Sequence, residues 1–276
     1  MEQVLKTMLE NVRAKSPLVH NITNYVTVND VANVLLAAGG SPIMSDDADD
    51  VEDITSICGG LNINIGTLNK NTIPSMFLAG KKANALGHIV LLDPVGAGAS
   101  RLRTDTANRL MQEVRFDAVR GNISEIKTLC TGSGSTKGVD ADAVDAVTEA
   151  NLDNGVQLVK TFAAQTGCII AVTGAIDLVS DGKRCWCIRN GRAEMSRITG
   201  TGCQLSALMT AFLVANPDRK LDAAAAAVCM MGLAGEIGWA NMQPGDGNST
   251  YRNRIIDAIF NMTGDALEEG AKYELR

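Results

Sequence analysis

Short runs of apolar and β-branched residues alternate in this sequence with longer stretches of helical periodicity. The strand-like runs are "SPLVHNIT", "SPIMS", "LNINIGTL", "HIVLLDPV", "FDAVRGN" and "CIIAVTG". Strands that are separated by single helices pair in parallel through right-handed crossovers, and helices then cover both faces of the sheet. The alternation therefore predicts an α/β fold with a central, mostly parallel sheet.

The size of the chain favours one domain. With 276 residues and 46% hydrophobic composition, it can bury a sizeable core. We predict a single domain over residues 1–276, in which the last third, from Gly202 onward, is helical. Residues 129–143, "LCTGSGSTKGVDADA", form the most polar and glycine-rich stretch, and we interpret them as a mobile surface loop.

Charge and cysteine content exclude several classes of function. The formal net charge of -6 argues against general affinity for nucleic acid or for an anionic membrane, so an anionic substrate needs a local positive site. The seven cysteines are irregularly spaced and include the pair Cys185 and Cys187. This pattern favours reduced thiols in a cytoplasmic protein over a disulfide framework.

Two apolar segments are predicted to be helices of the fold and not signals for export or membrane insertion. Apolar residues near the N-terminus follow a helical stripe (Val4, Leu5, Met8, Leu9 and Val12), which is unlike the continuous apolar core of a signal peptide. The longest apolar run begins near Ala223 and contains glycine. It falls short of the roughly 20 residues that cross a bilayer, so we predict a buried helix.

Polar residues follow the predicted strands at their carboxyl ends, where open parallel sheets bind ligands. Asp93 ends "VLLD", Arg120, Asn122 and Glu125 follow the next strand, and Thr173 ends "AVT". Carboxylates suit Mg²⁺, whereas arginine and backbone N–H groups neutralise phosphate oxygens. Together these residues predict a site for a nucleotide phosphate and Mg²⁺ at one edge of the sheet.

Other common sites fit less well. The Gly-Lys pairs at Gly80 and Gly182 are followed by Lys82 and Arg184, which excludes a P-loop. The segment "GAGASR" lacks the third glycine of a dinucleotide-binding turn. With only His20 and His88, a histidine-rich metal cluster is impossible, and a catalytic triad would have to use one of these two.

The segment "ITGTGCQLSALMTAFLVAN" places a glycine turn before an apolar helix. Gly200, Gly202 and the amide of Cys203 lie where unpaired N–H groups and the helix dipole bind negative charge. We interpret this turn as an oxyanion-type hole for a transferring phosphoryl group. The Cys203 thiol, with a pKa lowered by the helix, is a candidate acid-base group at the acceptor hydroxyl.

Each of these residues also has a structural interpretation. Asp93 can cap a turn, Arg120 and Glu125 can form a surface pair, and Cys203 can be a small buried hydrophobe. By the same reasoning Thr173 can be an ordinary strand residue, Met44 can fill the core, and Asn24 can serve a turn.

A set of motifs resembles the hydroxyethylthiazole kinases, which belong to the ribokinase-like superfamily and act in thiamin salvage. The motifs are "HNITNYVTVNDVANVLLAAGGSPIM", "LNINIGTL", "VLLDPVGAGAS", "RGNISEI", "KGVD", "VTGAIDLVSDG" and "GTGCQLSA", and they run in order from about Ser16 to the C-terminal helices. Ribokinase relatives usually carry G-A-G-D at the helix start. This sequence resembles the thiazole kinases in having cysteine there, which suggests that Cys203 takes the place of the aspartate base.

The resemblance implies specific roles. It implies ATP contacts at Arg120 and Thr173, joined by Asn122 and Gly202 at the same sheet edge, and Mg²⁺ near Asp93 and Glu125. For the thiazole alcohol it implies a pocket near Asn24, Met44 and Gly200, with the acceptor hydroxyl beside Cys203. It also implies a homotrimer with active sites between subunits. Residues 131–142 lie in a variable part of the family, so no role is carried over to them.

Three functions remain open at this stage. The first is ATP-dependent phosphorylation of 4-methyl-5-(2-hydroxyethyl)thiazole. The second is another enzyme of the same fold, such as a hydroxymethylpyrimidine or sugar kinase or an ADP-using repair dehydratase, although aspartate in place of Cys203 would have favoured it. The third is a nucleotide-binding sensor, which has no need of a complete transfer machinery.

Overall fold

The computed structural model describes residues 3–132 and 146–276 of the chain. The strands are β1 (Leu18–Ile22), β2 (Ser41–Met44), β3 (Gly60–Asn64), β4 (Ile89–Asp93), β5 (Ala118–Asn122), β6 (Ile169–Thr173), β7 (Asp177–Ser180), β8 (Cys185–Ile188) and β9 (Tyr273–Leu275). The helices are α1 (Val4–Lys15), α2 (Val28–Ala38), α3 (Val51–Ile57), α4 (Thr72–Leu86), α5 (Arg101–Glu113), α6 (Ile123–Gly132), α7 (Leu152–Thr166), α8 (Thr201–Ala215), α9 (Lys220–Ala240), α10 (Asn248–Asn261) and α11 (Gly264–Gly270).

All strands in these two ranges join one sheet, in the order β2-β1-β3-β4-β5-β6-β7-β8-β9. The pairs from β2 to β6 are parallel, as the alternation of strands and helices predicted. Their carboxyl ends therefore lie along the same edge, which positions the polar residues that follow them.

The sheet is mostly parallel, as predicted, but at the end beyond β6 it contains three strands that the sequence analysis did not identify. These strands, β7, β8 and β9, pair antiparallel with their neighbours. The connections from β6 to β7 and from β7 to β8 are too short for a parallel crossover. In the second of these turns Gly182 has φ +90°, and the Asp181 carboxylate accepts the N–H groups of Lys183 and Arg184. The last third is also not wholly helical, since β9 returns to pair with β8.

The core forms two apolar layers, one on each face of the sheet. Successive residues of β4 alternate between them: Leu91 packs with the layer of α8 and α9, and Leu92 packs with the layer of α4 to α7. This alternation explains the nearly continuous apolar run in that strand, because both of its faces are buried.

The long C-terminal helix is a core helix, as predicted. The helical stretch Pro217–Ala240 is long and apolar enough by composition to cross a membrane, but 78% of its apolar window is buried inside the fold. Such burial is typical of the core helix of a large domain.

Two local predictions need correction. Helix α2 begins after Thr27, which makes no side-chain cap, and not at an Asn/Asp cap; it ends as predicted at Gly39, which adopts φ +97°. The stretch predicted as a loop, residues 129–143, begins inside α6, and its part from 133 onward lies outside the described residues.

Candidate active site

Five of the predicted site residues lie at one edge of the sheet, four of them on adjacent strands and the fifth in the helix that follows β5. Strand pairing sets Asn64 of β3 opposite Asp93 of β4, and Asn122 of β5 opposite Thr173 of β6. Arg120 and Glu125 flank this row on β5 and in the first turn of α6. The edge therefore brings together carboxylates, amides and a guanidinium, which is the combination that a nucleotide phosphate site requires.

The glycine turn before α8 has a strict steric requirement. Gly200 adopts φ +90°, and a Cβ atom there would lie 2.3 Å from Cγ2 of Thr27. The helix begins at Thr201, two residues earlier than the sequence indicated, so that Gly202 and Cys203 lie in its first turn. The N–H groups of a first turn have no partner within the helix, so this end of α8 carries the donors on which the predicted anion site depends.

Arg120 links the strands to α8. Its Nη2 donates a hydrogen bond of 2.7 Å to Oγ1 of Thr173, and its Nη1 lies 3.5 Å from Oδ1 of Asp93. A Cβ atom on Gly202 would lie 2.5 Å from each of the two terminal guanidinium nitrogens. Arg120 is only 11% exposed, so the predicted alternative of a surface pair with Glu125 is wrong.

The Cys203 thiol is buried under this arrangement. Its Sγ accepts hydrogen bonds from Nδ2 of Asn24 at 3.0 Å and from Nδ2 of Asn64 at 3.2 Å. The pKa of Cys203 is nevertheless raised, because burial disfavours the thiolate and the charge of Asp93 adds to the effect. The expectation of a lowered pKa is therefore wrong, because desolvation outweighs the side-chain hydrogen bonds of Asn24, Thr27 and Asn64.

Asp93 is fully buried, with no exposed surface. Its Oδ2 accepts hydrogen bonds of 2.8 Å from Nδ2 of Asn64 and from Oγ of Ser206. Burial raises the pKa of Asp93 to about 6, although the charge of Arg120 opposes this shift. The other oxygen, Oδ1, is buried and has no hydrogen-bond partner within the described residues.

Glu125 and Asn122 form a reciprocal cap at the start of α6. Oε2 of Glu125 accepts the N–H of Asn122 at 2.8 Å, and Oδ1 of Asn122 accepts the N–H of Glu125 at 2.8 Å. Oε1 of Glu125 also accepts the N–H of Gly96, in the loop that follows Asp93. Glu125 thereby fixes two strand-end loops beside the site.

Asn64 is a functional candidate that the sequence reasoning missed. Its Nδ2 group donates to both Asp93 and Cys203, and its Oδ1 accepts from the N–H of Gly66 and from Nδ2 of Asn24. The available signal was the presence of two asparagines in an otherwise apolar, fully buried strand. Buried amides of this kind are retained only where their hydrogen bonds are satisfied.

Two adjoining cavities lie at the N-terminus of α8, and Arg120 and Gly202 line both of them. The smaller, of about 320 Å³, also contacts Asn24, Asn122, Glu125, Gly200 and Cys203. The larger, of about 640 Å³, extends past Thr173 toward β7, β8 and α9.

Met44 lies apart from both cavity linings. It is half-buried at the end of the edge strand β2, where it packs against the apolar cluster that contains Val31, Leu35 and Cys203. Its contact with the site therefore passes through this cluster.

The chain matches a known family over most of its length. A model described as the hydroxyethylthiazole kinase family matches residues 9–265. The chain belongs to the hydroxyethylthiazole kinase family. It is 58% identical over 271 residues to the hydroxyethylthiazole kinase of Clostridium acetobutylicum, covering 98% of this chain and 99% of the relative. It is 48% identical to the corresponding protein of Ruminiclostridium cellulolyticum, over 96% of this chain and 95% of the relative.

Solved structures place this family in the ribokinase-like fold predicted above. The hydroxyethylthiazole kinase protein of Pyrococcus horikoshii OT3 superposes with a TM-score of 0.88 at 32% identity, with both chains fully covered. The pyridoxal kinase of Staphylococcus aureus in complex with ADP superposes with a TM-score of 0.62 at 14% identity, over 94% of this chain and 97% of that chain. The second likeness concerns the fold alone.

Proposed function

We propose that this chain transfers the γ-phosphoryl group of ATP to the primary alcohol of 4-methyl-5-(2-hydroxyethyl)thiazole, as a step of thiamin salvage. The observation that carries the proposal is the pair of adjoining cavities that share Arg120 and Gly202. Family membership supports the choice of substrates. The larger cavity would take ATP, the smaller would take the thiazole alcohol, and the transferred group would pass between them at the start of α8.

Phosphoryl transfer needs positioning and charge neutralisation more than it needs a strong base. In this proposal the first-turn N–H groups of α8, including that of Gly202, face the transferring group, and Arg120 neutralises its oxygens. Arg120 is held in place by Thr173 and Asp93, so it requires little reorganisation during the reaction.

The smaller cavity would orient the acceptor alcohol. Asn24, Gly200 and Cys203 line it, and the acceptor hydroxyl would lie beside the Cys203 sulfur. Because the pKa of Cys203 is raised, its thiol is protonated at neutral pH. We therefore assign Cys203 the positioning of the hydroxyl. As the new O–P bond forms and the bond to ADP breaks in a loose transition state, the alcohol proton would pass late to an oxygen of the transferred phosphoryl group.

The two predicted carboxylates fit a magnesium ion that is held largely by the nucleotide. Among the described residues no group of three or more His, Cys, Asp or Glu side chains could hold a metal by itself. Mg²⁺ commonly uses one or two carboxylates together with waters and phosphate oxygens. Oδ1 of Asp93 accepts no hydrogen bond, although Nη1 of Arg120 lies 3.5 Å away, and Glu125 keeps unused lone pairs. Both carboxylates could therefore supply such oxygens. When bound, the ion would neutralise charge on the phosphates.

We further propose that the chain works as one domain over residues 1–276, as a homotrimer with active sites between subunits. Exposed apolar side chains beside the smaller cavity support an interface there: Tyr25 is 63% and Val26 is 64% exposed. Met44, on the half-buried edge strand β2, would then approach a neighbouring subunit. Cytoplasmic location is supported by the seven free cysteines, which suit a reducing compartment.

The test is ADP release from Mg-ATP by the purified protein. Hydroxyethylthiazole, hydroxymethylpyrimidine, ribose and no acceptor are compared side by side. We expect ADP release only in the reaction that contains the thiazole alcohol. Release with a different acceptor would keep the kinase chemistry and overturn the substrate, and silence with every acceptor would favour the nucleotide-binding sensor.

A further inference from the structure

Asp177 lies in the larger cavity, but neither the sequence nor the proposed mechanism gives it a role. It is the first residue of β7, next to β6 in the sheet, and register pairs it with Ile188 of β8. Because β7 is antiparallel, its beginning lies at the same edge as the carboxyl ends of β5 and β6. Arg120, Thr173 and Asp177 therefore follow one another on three successive strands.

This order gives Asp177 a defined distance from the transfer site. Neighbouring strands are about 4.8 Å apart, so β7 lies about 10 Å along the sheet from the strand that carries Arg120. A nucleotide whose terminal phosphate lies at Arg120 extends away through two more phosphates to its ribose. The same cavity is lined by Val228 and Met231 of α9, whose apolar side chains suit the flat face of a base. Asp177 thus lies at the level of the sugar.

The carboxylate of Asp177 has unused hydrogen-bonding capacity. Its Oδ1 accepts the N–H of Gly174 at 2.8 Å, and Oδ2 has no partner in the described part of the chain. Two other polar side chains of this cavity are engaged elsewhere. Asn190 donates to Glu236 and to the carbonyl of Gly270, and Arg192 pairs with Glu194.

We propose that Oδ2 of Asp177 binds the ribose hydroxyls of the nucleotide. An acceptor-only carboxylate matches a sugar diol, which can donate two hydrogen bonds. Burial also raises the pKa of Asp177 to about 7, and a hydroxyl donor would offset this cost by stabilising the charged form. The assignment rests on the proposed function, since it requires the phosphates to lie at Arg120.

The test is a calorimetric double-mutant cycle that needs no acceptor alcohol. Mg-ATP and Mg-2′,3′-dideoxy-ATP are titrated into the wild-type protein and into Asp177→Asn. Asparagine keeps an oxygen for the N–H of Gly174, so the turn is retained while the charge and one acceptor are lost. The matched control is Asp181→Asn, because Asp181 serves the turn at the other end of β7 in the same way.

We expect the wild type and Asp181→Asn to bind ATP at least about tenfold more tightly than the dideoxy nucleotide, as for a hydrogen bond to a charged group. In Asp177→Asn the ratio of the two dissociation constants should fall to nearly one. Equal weakening of both nucleotides, or a wild type that does not distinguish them, would overturn the assignment. The comparison of the two nucleotides on the wild type does not depend on the folding of any variant.

The failure of this inference can be told apart from the failure of the proposed function. A protein that binds ATP with the expected preference and phosphorylates no alcohol would retain the ribose site and lose the kinase assignment. A protein that phosphorylates the thiazole alcohol but binds ATP and the dideoxy nucleotide equally would keep the kinase assignment and lose the ribose site. Absence of ATP binding by the wild type would overturn both.

Discussion

Replacing Gly202 with alanine should separate the stability of the fold from the position of Arg120. The backbone at Gly202 does not need glycine, because this residue lies in the first turn of α8 and is not among those with positive φ. In a helix, alanine is favoured over glycine by up to about 1 kcal/mol. The added Cβ, however, would lie 2.5 Å from both terminal nitrogens of Arg120. Because these nitrogens end a flexible side chain, the guanidinium should move while the helix remains.

The expected loss follows from the contacts that Arg120 would give up. The 2.7 Å bond to Thr173 and the approach to Asp93 both depend on the present position of the guanidinium. A hydrogen bond that involves a charged group contributes about 1.5 to 3 kcal/mol. A displaced guanidinium would lose an equivalent hydrogen bond to the phosphoryl group, so we expect kcat/KM for ATP to fall by about tenfold to a hundredfold or more. The helical gain from alanine offsets part of the lost contacts within the protein, so the unfolding temperature should fall by no more than a few degrees.

The assay compares Gly202→Ala with Arg120→Ala, with the double variant and with Gly247→Ala. Gly247 is a suitable control, since a Cβ atom there would meet nothing within 4 Å. If alanine at 202 acts through Arg120, the double variant should be no slower than Arg120→Ala. Additive losses, or wild-type kcat/KM in Gly202→Ala, would refute this account of the glycine.

Three further substitutions test the buried groups beside the transfer site. Cys203→Ala should keep activity within about tenfold of the wild type in steady-state kinetics, whereas a loss beyond about a thousandfold would make the thiol chemically central. Asp93→Asn should slow transfer at least a hundredfold and yet raise the free energy of unfolding at pH 7.5 by up to about 3 kcal/mol, because the wild-type pKa rises from 3.8 to about 6 on folding. Between pH 3.8 and about 6 the folded wild type binds a proton that the unfolded chain does not, so the free energy of unfolding should fall as pH rises through this range. If urea unfolding at pH 3.5 shows the same gain in stability for Asp93→Asn as at pH 7.5, the ionised Asp93 carboxylate is not its cause. Asn64→Ala should lower kcat at least tenfold. The control Asn62→Ala removes a buried amide from the same face of β3, and it should lower stability with little change in kcat. Equal effects of the two substitutions on kcat would argue against a specific role for Asn64.

The alternation of strands and helices in the sequence was enough to predict the parallel part of the sheet. Each of the six parallel strands follows a helix or precedes one, and the polar residues at the strand ends needed only the edge rule to be grouped. The antiparallel end of the sheet was missed, although "IDLVSDGKRCWCI" contains Asp181-Gly182 between two apolar runs, which is a strong hairpin signal. Missing that hairpin also hid Asp177, whose place at the site edge depends on the reversed direction of β7.

The protonation and hydrogen bonding of the site residues were harder to predict from the sequence, because they depend on burial. The position of Cys203 at a helix start indicated a lowered pKa, but the sequence does not show how completely the sulfur is removed from water. The same is true of Glu125, whose carboxylate closes a cap with Asn122 while it lines the smaller cavity. A structural role and a ligand-binding role are compatible here, since each carboxylate oxygen has more than one lone pair.

The raised pKa values of Cys203 and Asp93 share burial as their largest cause. Both groups are buried beneath the first turn of α8, and the Nδ2 group of Asn64 is shared between them. With the thiol protonated at neutral pH, it is a poor proton acceptor in the resting site. Asp93 is ionised above pH 6, but its charge is already partnered by Arg120 and by two hydrogen-bond donors. The arrangement therefore favours catalysis by fixed charges and N–H groups around the phosphoryl group over catalysis by a strong base at the alcohol.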